Sequence, residues 1–287
     1  MGLFGASVSG MDAFQTMMNV IGNNVANVST TGYKTSQVNF ADILSQTLAS
    51  GSGGSSTGIG GTNPQQMGLG VKIAEITPNF SQGSLNQTGN PTDLAIDGNG
   101  LFAVTSASPT QISSSPTTIA VDYTRAGNFH VDNNGYLVTA DGNYVLGTTT
   151  QLTSGSTNAP TWSAIKLTDS SGNPTQFTIG PNGTVTVTNG NPATYYIPIV
   201  DFPNYEGLQK MGSNLYEAPS NNSAGAPVYG PAGTGNFGAI QAGYLESSNV
   251  DLTQELTNMM IANTGYGANS KVISTQNQML QALLQNV

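Results

Sequence analysis

The chain has 287 residues, enough for one large domain or two to three small ones with a sizeable core. Six basic residues stand against fifteen acidic ones, a net charge of −9, and this scarcity of Lys and Arg excludes nucleic acid as a partner, because phosphate binding needs clustered cations. With no cysteine and a single histidine, His130, disulfide frameworks, thiolate zinc sites and thiol nucleophiles are excluded as well. No run of ~18 apolar residues is present to insert in a membrane, and the opening "MGLFGASVSGMDAFQTMMNV" lacks the basic start of a signal peptide.

From the N-terminus, Phe4, Met11, Met18 and Val25 recur every seven residues. Phe14, Ile21 and Val28 form a second series three places on, with Ser7 its one polar member. This spacing predicts a helix with a heptad seam, ended by Thr30, Thr31 and Gly32. Its sequence includes Gly22, Asn23, Asn24 and Asn27, residue types that are poor helix formers.

Residues 49 to 66, "ASGSGGSSTGIGGTNPQQ", have linker composition and are expected to separate the helical part from a β part. Next come the short alternating or β-branched runs "LFAVT", "NFHVD", "YLVTA", "YVLGT", "FTIG" and "TVTVT", punctuated by "NNG", "DG", "PNG" and "NG". These read as strands joined by hairpin turns. A second weak zone, residues 219 to 238, leads toward the C-terminus.

There, Leu252, Met259, Tyr266, Ile273, Leu280 and Val287 repeat at seven, with Leu256, Asn263, Ser270, Asn277 and Leu284 in the companion position. Three of those five companions are polar, so this seam is the weaker one. Ser248, Asn249 and Asp251 are suitable N-caps, and Gln254 three residues after Asp251 suggests a capping box. A helix of ~35 residues would be roughly 52 Å long. Gly265 and Gly267 inside it should each cost about 1 kcal/mol against alanine, so another contact must offset them.

The expected fold class is α+β: paired, coiled-coil-like N- and C-terminal helices with an inserted all-β domain of hairpins. Residues 1–33 and 246–287 form the terminal helical assembly domain, 34–72 and 219–245 the connecting segments, and 73–218 the β-rich outer domain. The helices are expected to pair because neither stripe can be buried locally.

Few residues invite a chemical reading. Asp93 and Asp97 in "PTDLAIDGNG" have the residue types of a glycosidase pair but read better as turn residues around a strand. Asp132, Asn133, Asn134 and Gly135 resemble a fragment of a calcium loop without its later carboxylates, and a type I′ turn is the better reading. His130 has Asp122 and Asp132 nearby but no serine nucleophile paired by spacing, which leaves a half-exposed strand histidine. Arg125, the only arginine, is expected to pair with an acidic turn residue such as Asp97, and Trp162 to lie in the core. No catalytic, cofactor-binding or metal-binding set emerges, and an enzyme is not expected.

The terminal helices are the anomaly. Residues 1 to 33 contain one charge, Asp12, and residues 256 to 287 contain one, Lys271, whereas surface helices ordinarily place charges opposite the apolar stripe. Asn19, Gly22, Asn23, Asn24 and Asn27 fall off the seam, and an uncharged polar face can pack against another copy without desolvating ions. The expected self-assembly residues are therefore Phe4, Met11, Phe14, Met18, Ile21, Gly22, Asn23, Asn24, Val25 and Asn27, with Leu252, Leu256, Met259, Asn263, Tyr266, Ile273, Leu280 and Leu284.

"NVIGNNVANVSTTGYK" resembles the N-terminal signature of bacterial flagellar rod and hook proteins. "GNPTDLAIDGNGLFAV", "YTRAGNFHVDNNGYLVTADGNYVLG" and "GYLESSNVDLTQELTNMMIANTGYGANSKVISTQNQMLQALL" resemble, in order, that family's central and C-terminal motifs. The resemblance implies a chain exported by the flagellar type III apparatus without a cleaved signal, in an extracellular bacterial flagellum as part of hook or basal body. It implies a homopolymer, a helical tube with the terminal helices innermost. It also implies rod, hook cap and hook–filament junction proteins as partners, and no cofactor. At "IANTGYGANS" the chain departs from the family pattern, which has Gln-Arg in place of Asn263-Thr264 and no glycine at 265. "ESSNVDL", "GGTNPQQMGLGV" and "MGSNLYEA" look most like short hook proteins, so the expected function is the hook, a flexible universal joint. The alternative is a distal rod protein of the basal body; a secreted β-rich adhesin or glycan-active enzyme ranks behind both.

Overall fold

A computed structural model describes residues 2–53, 60–114, 119–168, 176–188, 194–219, 221 and 223–285. The chain divides into two compact units. One comprises Met1–Ala26, Ser36–Pro78 and Asp251–Val287, and the other Asn27–Thr35 and Asn79–Val250.

The first, helical unit holds the N-terminal helix Gly2–Ala26, the C-terminal helix Leu252–Gln285, and four strands: β1 (Ser36–Asp42), β2 (Ser45–Ala49), β3 (Gln65–Gly68) and β4 (Val71–Pro78). The N-terminal helix ends at Ala26, short of the expected Thr30. Asn27 takes over there: its carbonyl accepts the Thr30 N–H at 3.1 Å and its side-chain Oδ1 accepts the Thr30 hydroxyl at 3.1 Å. Such local side-chain bonding competes with helix continuation. At the other end Asp251 is the N-cap, its Oδ1 accepting from the N–H groups of Thr253 (2.8 Å) and Gln254 (3.3 Å). The capping box is not completed, since the Gln254 side chain donates to Asn258 instead.

The two helices run antiparallel in a single register. Asn24 Nδ2 donates to Glu255 Oε1 at 3.0 Å, the Phe14 ring lies over Gly265, and the Asn269 side chain lies over Gly10. Each step along one helix is matched by an equal step backwards along the other. A Cβ on Gly265 would meet the Phe14 ring at 2.5 Å, and one on Gly10 would meet Asn269 at 2.5 Å. This close approach is the contact that offsets the cost of Gly265; around Gly267 there is nothing within 4 Å. Gly267→Ala is therefore expected to stabilise the protein by about 1 kcal/mol through helix propensity alone. Gly265→Ala should destabilise it on balance, because overpacking costs about 1–3 kcal/mol. Urea unfolding of both variants checks this through the opposite signs.

β1 and β4 pair antiparallel from Ser36 opposite Pro78 to Asp42 opposite Val71, with a bulge at Asn39/Phe40. The Phe40 ring reaches Phe14 at 6.2 Å, and Ser9 Oγ accepts the Val71 N–H, tying the N-terminal helix to this ribbon. β2 and β3 pair antiparallel across the stretch expected to be a linker. Its two arms are strands, the bridge Ser52–Thr62 continues the ladder, and the remainder of the expected linker, 54–59, lies outside the described residues. The four strands β1 to β4 thus belong to the helical unit, although residues 34–72 were expected to be a connecting segment and 73–78 the start of the outer domain.

Among the described residues of the β unit every ladder between strands is antiparallel, and Asn99 and Phe237 form an isolated parallel bridge. The strand Leu101–Thr105 is central, paired with Asp122–Thr124, Tyr144–Gly147 and Pro198–Asp201. It is fully buried and splits its alternate side chains between two cores. Phe102 and Val104 pack with Leu94, Ile96, Phe129 and Ile199; Leu101 and Ala103 pack with Tyr123, Trp162, Phe202 and Tyr229. Each such buried side chain contributes about 1.5–3 kcal/mol. Trp162 is a core residue, as expected, edge-on to Tyr229 at 5.7 Å. In and just beyond the zone 219–245, expected to be a connecting segment, Val228–Pro231, Ala239–Ala242 and Tyr244–Glu246 are strands, because each finds a ladder partner distant in sequence.

The hairpin turns differ from expectation in type. At Asp132–Gly135 the Gly135 N–H donates to the Asp132 carbonyl at 3.0 Å, and Gly135 alone has positive φ (83°). That is a type I turn closed by a left-handed glycine, not type I′. The same bonding recurs from Gly142 to Thr139 and from Gly183 to Gly180. The cause is side-chain chemistry: Asp132 Oδ1 accepts from Asn134 N (2.9 Å) and Tyr136 N (2.7 Å), which holds the type I geometry. Two adjacent left-handed residues occur instead in a turn without a central glycine, Ser213 (φ 49°) and Asn214 (φ 57°).

Candidate assembly surface and ionic junction

The helical unit buries an unexpected set of residues. On the N-terminal helix Ser7, Gly10, Ala13, Ile21 and Asn24 are buried, while Phe4, Met11, Phe14, Met18 and Val25 are half-buried. On the C-terminal helix the buried residues are Glu255, Ala262 and Gln276, again at multiples of seven but not on the apolar series. Met259 and Ile273 are half-buried; Leu252, Leu256, Asn263, Tyr266, Leu280 and Leu284 are exposed. The expected seam of the C-terminal helix is therefore mostly an outer face. On the C-terminal helix the contact is made by Ala262 and Gly265 and by the polar Glu255, Asn269 and Gln276, and its leucines lie outside.

Asn24, expected on the outer face, is 1% exposed. Its side chain exchanges bonds with Ser36, donating to the carbonyl (2.9 Å) and accepting the N–H (3.0 Å), while also donating to Glu255. Burial raises the Glu255 carboxyl above its ordinary pKa, with the Asn24 bond opposing. Gly22 and Asn23 remain exposed, and Asn27 belongs to the β unit.

The outcome is a broad uncovered apolar face. Among the described residues, every exposed large apolar side chain except Val131 and Met211 belongs to the helical unit. Met260, Ile261, Val272, Met279, Leu283 and Leu284 mark it along the C-terminal helix. Extrapolating the register places Gln276 level with Leu3, so the final turns run past the start of the N-terminal helix.

In the β unit the sequence reading missed a second feature. Lys34 Nζ meets Glu246 Oε1 at 2.7 Å and Arg125 Nε meets Glu246 Oε2 at 2.5 Å, with all three side chains buried. Gly83 N–H donates to Glu246 Oε1 at 2.8 Å. The rest of the Arg125 guanidinium donates to the carbonyls of Ile96, Gly98 and Gly100. Burial pushes the Glu246 carboxyl up, but the Arg125 and Lys34 charges and the bonds from Lys34 and Gly83 outweigh it and hold its pKa below the ordinary value. Arg125 thus pairs with Glu246 rather than Asp97, whose Oδ1 accepts only a long 3.4 Å bond from Gln82. The available signal was the scarcity of charge: Lys34 is the one charged residue of "NVIGNNVANVSTTGYK" and Arg125 the one arginine of the chain.

The remaining chemical candidates stay apart. Asp93 and Asp97 sit at opposite ends of the strand Leu94–Asp97; Asp93 is buried and accepts the Thr88 hydroxyl at 2.6 Å, while Asp97 is exposed. His130 lies exposed on a two-residue strand.

Residues 5–34 match the family described as flagella basal body rod protein, residues 95–187 the flagellar hook protein FlgE/F/G D1 domain, and residues 241–286 the flagellar basal body rod FlgEFG protein C-terminal. The chain is 42% identical over 282 residues to the flagellar basal-body rod protein FlgG of Bacillus subtilis (strain 168), covering 97% of this chain and 96% of that one. It is 36% identical over 284 residues to FlgG of Caulobacter vibrioides, covering 97% of each. To the flagellar hook protein FlgE of Treponema pallidum it is 47% identical over 133 residues, covering 46% of this chain and 26% of that one. Motifs, fold and likeness along nearly the whole length agree: the chain belongs to the flagellar rod and hook family, and is a structural subunit of the bacterial flagellum rather than an enzyme.

Proposed function

We propose that this subunit is a distal rod protein of the basal body, which polymerises through its helical unit. The observation that carries this reading is likeness to rod proteins from end to end, against likeness to a hook protein over less than half of the chain. The hook reading suggested by short motifs gives way, because such motifs are shared across the family whereas full-length identity is not. The partners are further copies of this chain and the neighbouring axial proteins. Leu252, Leu256, Tyr266, Leu280 and Leu284 on the exposed face supply the apolar contact, and Gly22 and Asn23 supply a small polar one. Phe4, Met11, Phe14, Met18, Ile21, Asn24, Val25, Met259 and Ile273 support that face from within.

Negative-stain electron microscopy of the polymerised protein tests the assignment. Straight, rigid tubes are expected; curved tubes would return the protein to the hook.

A further inference from the structure

Within the β unit, residues 32–35, 79–81 and 246–249 meet in one polar cluster. The unit is entered at Asn27, left at Thr35, re-entered at Asn79 and left at Val250. Asn79 N–H donates to the Thr35 carbonyl (2.7 Å), and Thr35 N–H donates to Asn249 Oδ1 (2.8 Å). Asn249 Nδ2 in turn donates to the carbonyls of Asn79 (2.8 Å) and Ser81 (3.1 Å). Gly32 N–H donates to the Glu246 carbonyl (2.8 Å), and Lys34 Nζ reaches both Glu246 and the Ser81 carbonyl (2.8 Å).

The charges here are lopsided. Both ion pairs among the described residues end on one carboxylate, Glu246. Facing it are Lys34 from segment 27–35 and Arg125 from the turn after Asp122–Thr124. Lys210, from the strand Gln209–Gly212, stands 4.9 Å over the Tyr33 ring and donates to the Lys34 carbonyl at 3.2 Å. The other titratable neighbours are the phenols of Tyr33, Tyr216 and Tyr205, with the Asp201 carboxylate one step further out, accepting the Tyr205 hydroxyl. Removing the one negative charge leaves the cations facing one another in a buried site.

The core does not depend on this cluster in the same way. Neither hydrophobic core draws a residue from segments 27–35 or 246–250. Arg125 also retains three backbone carbonyls whatever happens to Glu246.

We propose that Lys34, Arg125 and Glu246 form an ionic latch that docks residues 27–35 and 246–250, the roots of the two terminal helices, on the β unit. The latch opens as one piece when Glu246 loses its charge, while the β core stays folded. The subunit can then free its helix roots without dissolving the domain that anchors them. The native-state pKa of Glu246 lies below its unfolded value, so the latch's contribution is complete above the ordinary carboxylate range and is lost as pH falls through the native value. This inference does not rest on the choice between rod and hook.

Hydrogen exchange with mass spectrometry on the full chain tests it, comparing wild type with Glu246→Gln at neutral pH. Peptides covering 27–35 and 246–250 are expected to exchange at least ~10-fold faster in the variant, while those covering Leu101–Thr105 and Tyr144–Gly147 keep their protection. In wild type the same opening is expected on acidification through the carboxylate range, after correction for intrinsic exchange, and the variant should lack that dependence. Unchanged protection of 27–35 in the variant overturns the latch. So does a variant that fails to fold or loses core protection by the same factor, since the cluster would then be part of the global fold. A wild type whose 27–35 protection stays flat in acid overturns it too.

Discussion

An Arg125→Met chain is expected to lose about 3–5 kcal/mol of unfolding free energy, the range for breaking a buried ionic cluster by removing one partner. Methionine fills much of the same volume, so the loss isolates the polar groups left behind. The carbonyls of Ile96, Gly98 and Gly100 lose their shared donor, and Glu246 keeps only Lys34 and the Gly83 N–H. The carbonyls of Gly98 and Gly100 belong to the turn after the strand Leu94–Asp97, where Gly98 (φ 116°) and Gly100 (φ 124°) adopt backbone conformations that other residues rarely take, so the turn cannot easily rearrange to bond itself. Arg125→Lys should recover little, because an ammonium cannot reach a carboxylate and three carbonyls from one planar fork. Urea denaturation reads both effects as a fall in midpoint at unchanged slope. Full recovery by lysine would show that charge alone matters at this position.

The second large effect concerns the uncovered face of the C-terminal helix. Ile261→Asp combined with Leu283→Asp should change the stability of the isolated subunit by less than about 0.5 kcal/mol per site, since both side chains are exposed there. Polymerisation should be lost. A carboxylate buried in an apolar contact costs on the order of 3 kcal/mol, and ~3 kcal/mol per contact raises the critical concentration about a hundredfold. Sedimentation of polymer across a concentration series, with circular dichroism to establish that the helix persists, measures both parts. Val131→Asp, on the exposed edge of the β unit, is the control and should leave assembly unchanged. A double variant that still polymerises at the wild-type concentration would place the assembly contact elsewhere.

What could be read from the sequence was set by local rules. Seven-residue spacing and scarce charge located both terminal helices, alternation located strands such as Leu101–Thr105, and Asp251 announced the start of the C-terminal helix. These features depend on residues a few positions apart, where side-chain direction follows directly from backbone periodicity. The family signature was equally legible, being carried by contiguous motifs. Other features were settled only in three dimensions. Periodicity names the stripes a helix possesses but not which one meets a partner; Phe14 against Gly265 and Asn24 against Glu255 turned the small, polar stripe inward and left the leucines outside. The strands β2 and β3, which flank the stretch of linker composition, were not read from the sequence, because such short arms become strands only by finding each other. Glu246, Lys34 and Arg125 lie far apart in the chain and in separate motifs, and no short-range rule joins them. A buried charge must find its counter-charge wherever the folded chain brings one, so the identity of that partner is a property of the tertiary structure alone.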